Sequence, residues 1–212
     1  MKIYFDGCSW TEGAELENEK EERFSKVLCD KLGAEETNLA ISGGSNDRIV
    51  RNLLVENNIE EYDLAVIQMT YPARTEYYNQ NWIKINPKHN YSMWLNRKKE
   101  KNINLDKLSE KFTEYKLFWK EYYMNVTCKK YFETKEKIHF QTIKNHCEVK
   151  KVPLILLTIN RWTLTSAYQL NLPTFKYHHY GHPKKESHRL IADDLAAWTD
   201  PSRKPRILKK AS

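Results

Sequence analysis

Long apolar runs are missing from this chain. No stretch approaches the roughly 18 to 20 consecutive apolar residues that a bilayer-spanning helix needs, and apolar residues make up only 40% of the 212. Cysteine is sparse too. Cys8, Cys29, Cys128 and Cys147 are scattered without a CxxC pair, which predicts free, mostly buried thiols and argues against a structural zinc site. No Pro/Gly/Ser-rich linker interrupts the sequence, so one α/β domain over 1–200 is expected. Met1-Lys2-Ile3 enters a strand at once, leaving no room for a signal peptide. A cytoplasmic protein without membrane contact is the expectation.

Acidic residues are outnumbered, 28 Asp and Glu against 35 Lys and Arg, for a net charge of +7. That balance raises the question of nucleic acid. Much of the excess lies between Arg97 and Lys151, where lysines interleave with glutamates at helical spacing, as in "EKFTEYKLFWKEYY". This is the pattern of a solvated helix face. The rest lies in a basic tail, 201–212. Nucleic acid is therefore not the expected partner.

What is present is a series of short β-rich runs separated by helical patterns. "KIYF" (2–5), "DLAVIQMT" (63–70) and "VPLILLTIN" (152–160) read as buried parallel strands, with a weaker strand at "EETNLA" (35–40). Helices are expected over 22–32, stopped by Gly33 as a C′ glycine, over 46–57 with Asn46 or Asp47 as N-cap, and over 184–198. His188 recurs there with Ile191 and Leu195 and reads as a packing or capping residue. The alternation implies a parallel sheet covered on both faces, with ligands bound beyond the carboxyl ends of its strands. The segment from about 75 to 150 reads as a helical insertion. Its first half carries Tyr77, Tyr78, Trp82, Tyr91 and Trp94, and its second half, about 105–150, reads as two long helices.

Four segments carry candidate chemistry: "GCSWTEG" directly after the first strand, "NLAISGGSND" after the weaker one, "DLAVIQMTYPAR", and "GHPKKESHRLIADDL" near the end. In this order and spacing they resemble the conserved blocks of the SGNH hydrolases, the GDSL-like esterases, and within them a GCS-type subgroup associated with phage genomes. The resemblance implies a three-layer α/β/α (flavodoxin-like) fold with a central parallel sheet of about five strands. It also implies a serine hydrolase of the esterase or acetylesterase kind, working without a cofactor or metal.

Carried onto this chain, the pattern makes Ser9 the nucleophile and His182 its general base. A serine hydroxyl is a poor nucleophile without such a base, and Pro183, expected at the first helical position, would hold His182 rigidly. The backbone N–H groups of Ser9 and of Gly43 or Gly44 would stabilise an oxyanion. Cys8 beside Ser9 offers a rival thiol, but alternation at a strand end turns it toward the core. Gly43-Gly44 also has a purely structural reading, as a tight turn needing positive φ.

Three departures stand out. The family's aspartate beside the nucleophile is Cys8 here. The third block lacks its oxyanion asparagine, and Thr70, Tyr71, Arg74 or Asn46 is left to substitute. The acid three residues before the catalytic histidine is replaced by His179. A Ser–His dyad, or an acid from elsewhere, is the expectation. A metal reading of His178, His179 and His182 is not favoured, because Tyr180-Gly181-His182-Pro183 makes a poor helix. The expected substrate is a small-molecule or saccharide ester, since the aromatics of 77–94 have faces that stack on pyranose rings. The alternative is a catalytically weak or inactive module of the same fold that binds a glycan or an acidic partner.

Overall fold

The computed structural model describes residues 1–85, 116–158, 168–169 and 182–199. Strand β1 (Lys2–Asp6) is buried from Ile3 onward, as expected of an apolar run covered on both faces. It pairs in parallel with β2 (Glu35–Asn38) on one side and β3 (Leu64–Met69) on the other, Ile3 lying opposite both Glu36 and Leu64. The sheet continues through β6 (Leu154–Thr158) to the two-residue β7 (Tyr168–Gln169), in the order β2-β1-β3-β6-β7. This is the five-stranded parallel sheet expected, with the strand order reversing between β1 and β3.

Side-chain alternation along the strands divides the core in two. Ile3, Phe5, Leu64, Val66 and Leu157 form one apolar layer with Phe24 and Leu28 of α3 (Phe24–Leu32) and with Ile191 and Leu195 of α7 (Lys185–Thr199). Tyr4, Ala65, Ile67, Met69 and Leu156 form the other. There they meet Ile49 of α4 (Asn46–Arg51), Leu53 of the π-helical turn that continues it (Asn52–Glu56), and Ile143 and Cys147 of α6 (Lys129–Lys150). Helix, sheet and helix make the three layers.

Several boundaries differ from the sequence expectation. The helix expected over 22–32 is broken at Arg23, whose extended backbone separates α2 (Glu19–Glu22) from α3. Gly33 does end α3 in the left-handed conformation. The N-cap of α4 is Ser45, whose side chain accepts from the Arg48 N–H, rather than Asn46 or Asp47. His188 performs both roles expected of it. Its Nδ1 accepts from the Phe24 N–H at 3.1 Å, satisfying a donor at the start of α3, and its ring stacks on Phe24.

The aromatic stretch after β3 opens as a hairpin, β4 (Thr75–Asn79) and β5 (Asn81–Ile85), turned at Gln80 with φ 58°. Beneath it Ala73, Ile85 and Tyr77 pack on Trp119, Tyr123 and Phe132. These come from α5 (Lys116–Glu121), the π turn that extends it (Tyr122–Val126) and α6. Tyr91 and Trp94 lie outside the described residues, as does the tail 201–212. Among the described residues no helix is long and apolar enough to cross a membrane.

Helix α6 is fastened to α4 by Asp47, which meets Lys135 Nζ at 2.7 Å and His139 Nε2 at 3.0 Å. Burial alone would push the Asp47 carboxyl up. The hydrogen bond from His139, the charge of Lys135 and the Thr75 hydroxyl outweigh it and hold the group at about 2. A carboxylate depressed in the folded state stabilises above its unfolded pKa and ceases to as pH falls through the folded one. Asp47→Asn should therefore cost about 2 kcal/mol at pH 7. The difference from wild type should shrink between about pH 4 and pH 2, as urea denaturation at several pH values would show.

Candidate active site

Parallel sheets of this order bind ligands beyond the strand carboxyl ends, where the strand order reverses. The segments following β1, β2 and β3 meet at that point. After β1 the chain turns at Gly7, where an added Cβ would lie 2.6 Å from Thr11 Oγ1 and 3.0 Å from Gln68 Cβ. Only glycine fits so close an approach. Cys8 then caps the one-turn helix α1 (Ser9–Glu12), its carbonyl accepting from the Thr11 and Glu12 N–H groups. Ser9 is the first helical residue, so its own N–H has no partner within the helix. The chain leaves through Gly13 at φ 93°, and the Gly13 and Ala14 N–H groups both return to the Ser9 carbonyl.

Cys8 faces inward, 1% exposed. Its Sγ receives the Gln68 amide at 3.4 Å, and Gln68 Oε1 accepts from Thr11 Oγ1 at 2.6 Å. The Ser9 hydroxyl lies at 4.0 Å from the Cys8 sulfur, a weak contact. The thiol is thus held in the interior as expected, but the two side chains do not part to opposite sides: Ser9 is buried too, 7% exposed, with its hydroxyl against the sulfur.

Beneath the turn lies Asp6, fully buried. Its carboxylate accepts from the Gly7 N–H at 2.8 Å, Asn52 Nδ2 at 2.8 Å, Arg48 NH1 at 3.0 Å and the Tyr4 hydroxyl at 3.3 Å. Burial pushes this carboxyl up, against the opposing pull of Arg48 and of its hydrogen bonds. Arg48 also donates to the Leu39 carbonyl at 2.7 Å. The exit of β2 is thereby tied to the same carboxylate.

The glycine segment lies directly against the Ser9 turn. A Cβ on Gly44 would meet the Gly7 carbonyl oxygen at 2.9 Å and the Ile41 carbonyl oxygen at 3.0 Å. The Gly44 N–H is spent on Ile41 O, closing the turn, while Gly43 takes φ 72°. The structural reading of the pair as a tight turn with positive φ holds here, and the Gly44 N–H is not free to serve an oxyanion. Among the described residues the Gly43 N–H donates to no backbone carbonyl. Two further bonds pin this loop. Ser42 Oγ donates to Glu12 of α1, and Lys84 of β5 donates to Ser42 O at 2.9 Å.

The segment after β3 is fixed by Asn46. Its Oδ1 accepts from the Thr70 N–H at 2.8 Å and its Nδ2 donates to the Thr70 carbonyl at 3.1 Å. Arg74 donates to Thr70 Oγ1 at 2.7 Å and to the Gly44 carbonyl at 3.4 Å, and covers the half-exposed Tyr71 ring at 5.0 Å. Asn46, Thr70, Tyr71 and Arg74, proposed from the sequence as substitutes for the missing asparagine, are thus one connected group beside the glycine loop.

His182 comes from the other end of the chain and meets Glu15; among the described residues no hydrogen bond joins it to Ser9, whose hydroxyl contacts only the Cys8 sulfur. Pro183 is buried but precedes the helix by two residues, not at its first position, since α7 starts at Lys185. Lys185 bonds Glu22, and Lys31 meets Asp193 at 2.9 Å, holding α7 against α2 and α3. His182 Nδ1 lies 2.9 Å from Glu15 Oε2. Both atoms are shut off from solvent, and neither makes an aligned hydrogen bond elsewhere among the described residues. The sequence reading missed Glu15. His178 and His179 lie outside the described residues.

The thiols give a direct check on this geometry. Burial, mainly, pushes Cys29 up to about 12 and Cys147 up to about 11, and Cys128 alone of the four is exposed. Iodoacetamide on the folded protein should modify Cys128 and spare Cys8, Cys29 and Cys147 until denaturant is added, as peptide mass spectrometry would show. Rapid modification of Cys8 would contradict its inward placement.

No family model matches the chain, and no curated protein does. Solved structures do. A protein of the G-D-S-L lipolytic family from Desulfitobacterium hafniense DCB-2 superposes with a TM-score of 0.52 at 11% identity, covering 92% of this chain and 97% of that one. The lipase Lip_vut3 from a goat rumen metagenome gives 0.53 at 10% identity, over 93% and 96%. A carbohydrate esterase whose active site has catalytic and non-catalytic binding functions gives 0.50 at 13% identity, over 92% of this chain and 63% of that one. At such identities the likeness concerns architecture. The three-layer domain described here has the fold of the SGNH/GDSL-like hydrolases.

Proposed function

We propose that the protein is a serine hydrolase that cleaves an acyl ester carried on a saccharide, with Ser9 as nucleophile and His182 as general base. The observation that carries this reading is the position of Ser9. It opens a helix at the carboxyl end of β1, where the strand order reverses, with the Gly43-Gly44 loop packed against its turn. Ser9 Oγ attacks the ester carbonyl carbon while His182 takes its proton. The carbonyl oxygen becomes an oxyanion held by the Ser9 and Gly43 N–H groups. Collapse breaks the ester C–O bond, the leaving alcohol takes the proton from His182, and water then releases the acyl group from Ser9 by the reverse sequence. No cofactor or metal enters this course.

The saccharide assignment rests on the hairpin. Tyr78 and Trp82 are 65% and 46% exposed and meet edge to face at 5.3 Å. Their strands are joined to the oxyanion loop through Lys84 and Ser42. The carbohydrate esterase among the structural neighbours supports the same substrate class. One observation favours a second reading, a module of this fold that binds without turnover. Pro72 has no N–H, and Asn46 already holds the Thr70 backbone, so the third segment supplies no dedicated oxyanion donor.

Labelling with a fluorophosphonate distinguishes the two. A single adduct on Ser9 is expected by intact-protein and peptide mass spectrometry. It should be absent from Ser9→Ala and form about 10² to 10⁴ times more slowly in His182→Ala. A folded wild-type protein that takes no label at Ser9 supports the binding module instead.

A further inference from the structure

The acid that the sequence pattern lacks has a counterpart on the nucleophile's own loop. From the contact between His182 and Glu15 we infer that Glu15 is the positioning residue of the catalytic histidine, making the site a Ser9–His182–Glu15 triad. This inference rests on the hydrolase reading above.

Three observations carry it. The first is the pairing itself: Glu15 Oε2 sits 2.9 Å from His182 Nδ1, and both atoms are closed to solvent without another aligned partner among the described residues. The two atoms are in ion-pair contact but short of hydrogen-bond alignment. Such catalytic contacts are often poorly aligned before substrate binds and tighten in the complex. Once aligned, a carboxylate on Nδ1 would hold the imidazole in the tautomer whose Nε2 is bare, the form that accepts a serine proton.

The second is the path of the chain. The Gly13 and Ala14 N–H groups both return to the Ser9 carbonyl. Glu15 therefore follows the nucleophile's helix immediately and shares its frame. A histidine that touches Glu15 is thereby placed beside the loop that bears Ser9.

The third is backbone conformation. Glu15 holds φ 71°, in the left-handed region that favours glycine or asparagine. A residue kept only to turn the chain would be better as glycine there. A glutamate in this conformation, with its carboxylate on a histidine, is what a functional requirement at a strained position looks like.

That strain separates the two roles experimentally. Inactivation by a fluorophosphonate, followed as Ser9 adduct against time and reagent concentration, would be compared in wild type, Glu15→Gln, Glu15→Gly, Glu15→Asp and Glu17→Gln. Urea denaturation would be run on each. The triad predicts that Glu15→Gln and Glu15→Gly lower the limiting inactivation rate about 10² to 10⁴-fold with little change in half-saturating reagent. Glu15→Gly should be at least as resistant to urea as wild type. Glu15→Asp should recover part of the rate, and Glu17→Gln, an exposed neighbour of the same charge, should match wild type. Wild-type rates in Glu15→Gln, or a loss in Glu15→Gly that tracks its unfolding, would overturn the role of Glu15 and leave the Ser9–His182 reading standing. Absence of any Ser9 adduct in wild type would remove both.

Discussion

A buried carboxylate organises the carboxyl edge of the sheet, where the strand order reverses. Asp6 ends β1 facing the α4 layer, and the charge it carries there has to be met. Arg48, Asn52, Tyr4 and the Gly7 N–H together meet it. Since Arg48 also holds the Leu39 carbonyl, one ion pair fixes the turn after β1, the exit of β2 and the start of α4. Pairs of this kind add little to stability over an apolar substitute, yet breaking one by removing a partner costs roughly 3 to 5 kcal/mol. The interaction therefore acts as a constraint on geometry. Wherever the Asp6 carboxylate lies, the Ser9 turn and the glycine segment follow.

On the opposite face of the same strand end, Gln68 takes up the Cys8 thiol and the Thr11 hydroxyl. The Ser9 turn is thus held from both sides of the sheet, by an ionic network toward α4 and by a neutral one toward α3. The Ser9 hydroxyl meets the second only weakly, through the Cys8 sulfur at 4.0 Å. On the proposed reading, the backbone of the Ser9 turn stays still, as oxyanion stabilisation by fixed donors requires. The hairpin extends the arrangement outward. Its base is closed by the aromatic cluster around Trp119 and Tyr123, its edge is tied to Ser42, and Tyr78 and Trp82 remain at the surface.

Much of this was legible in the sequence because it is written in short-range patterns. β1, β3 and β6 are continuous apolar runs, and Gly33 and His188 announce themselves by position. Other features depend on contacts that sequence spacing does not encode. β7 is two residues long, too short for any period. Gln80 turns the hairpin in a left-handed conformation with no glycine to signal it. The aromatic run divides between the half-buried Tyr77 and the exposed Tyr78 and Trp82, a split set by the pleat of a β-hairpin in the first part of a segment expected to be a helical insertion. Glu15 is the clearest case. It lies in an ordinary acidic stretch, "EGAELENEKEE", and only the docking of α7 on α2 and α3 brings His182 to it from the far end of the chain. Of the departures from the family pattern, those at Cys8 and in the third segment fall where local networks through Gln68 and Asn46 fix the backbone, and His179 lies outside the described residues.

The central claim is that Ser9, the glycine loop and His182 form one acyl-transfer site. A crystal structure of the protein after reaction with a small alkyl phosphonate, a mimic of the tetrahedral intermediate, tests it most directly. The account predicts phosphorus bonded to Ser9 Oγ, one phosphonyl oxygen within hydrogen-bond reach of both the Ser9 and Gly43 N–H groups, and His182 with Nδ1 still on Glu15 and Nε2 toward the Ser9 oxygen. Phosphorus on any other side chain, or a phosphonyl oxygen turned away from those two N–H groups, would contradict it.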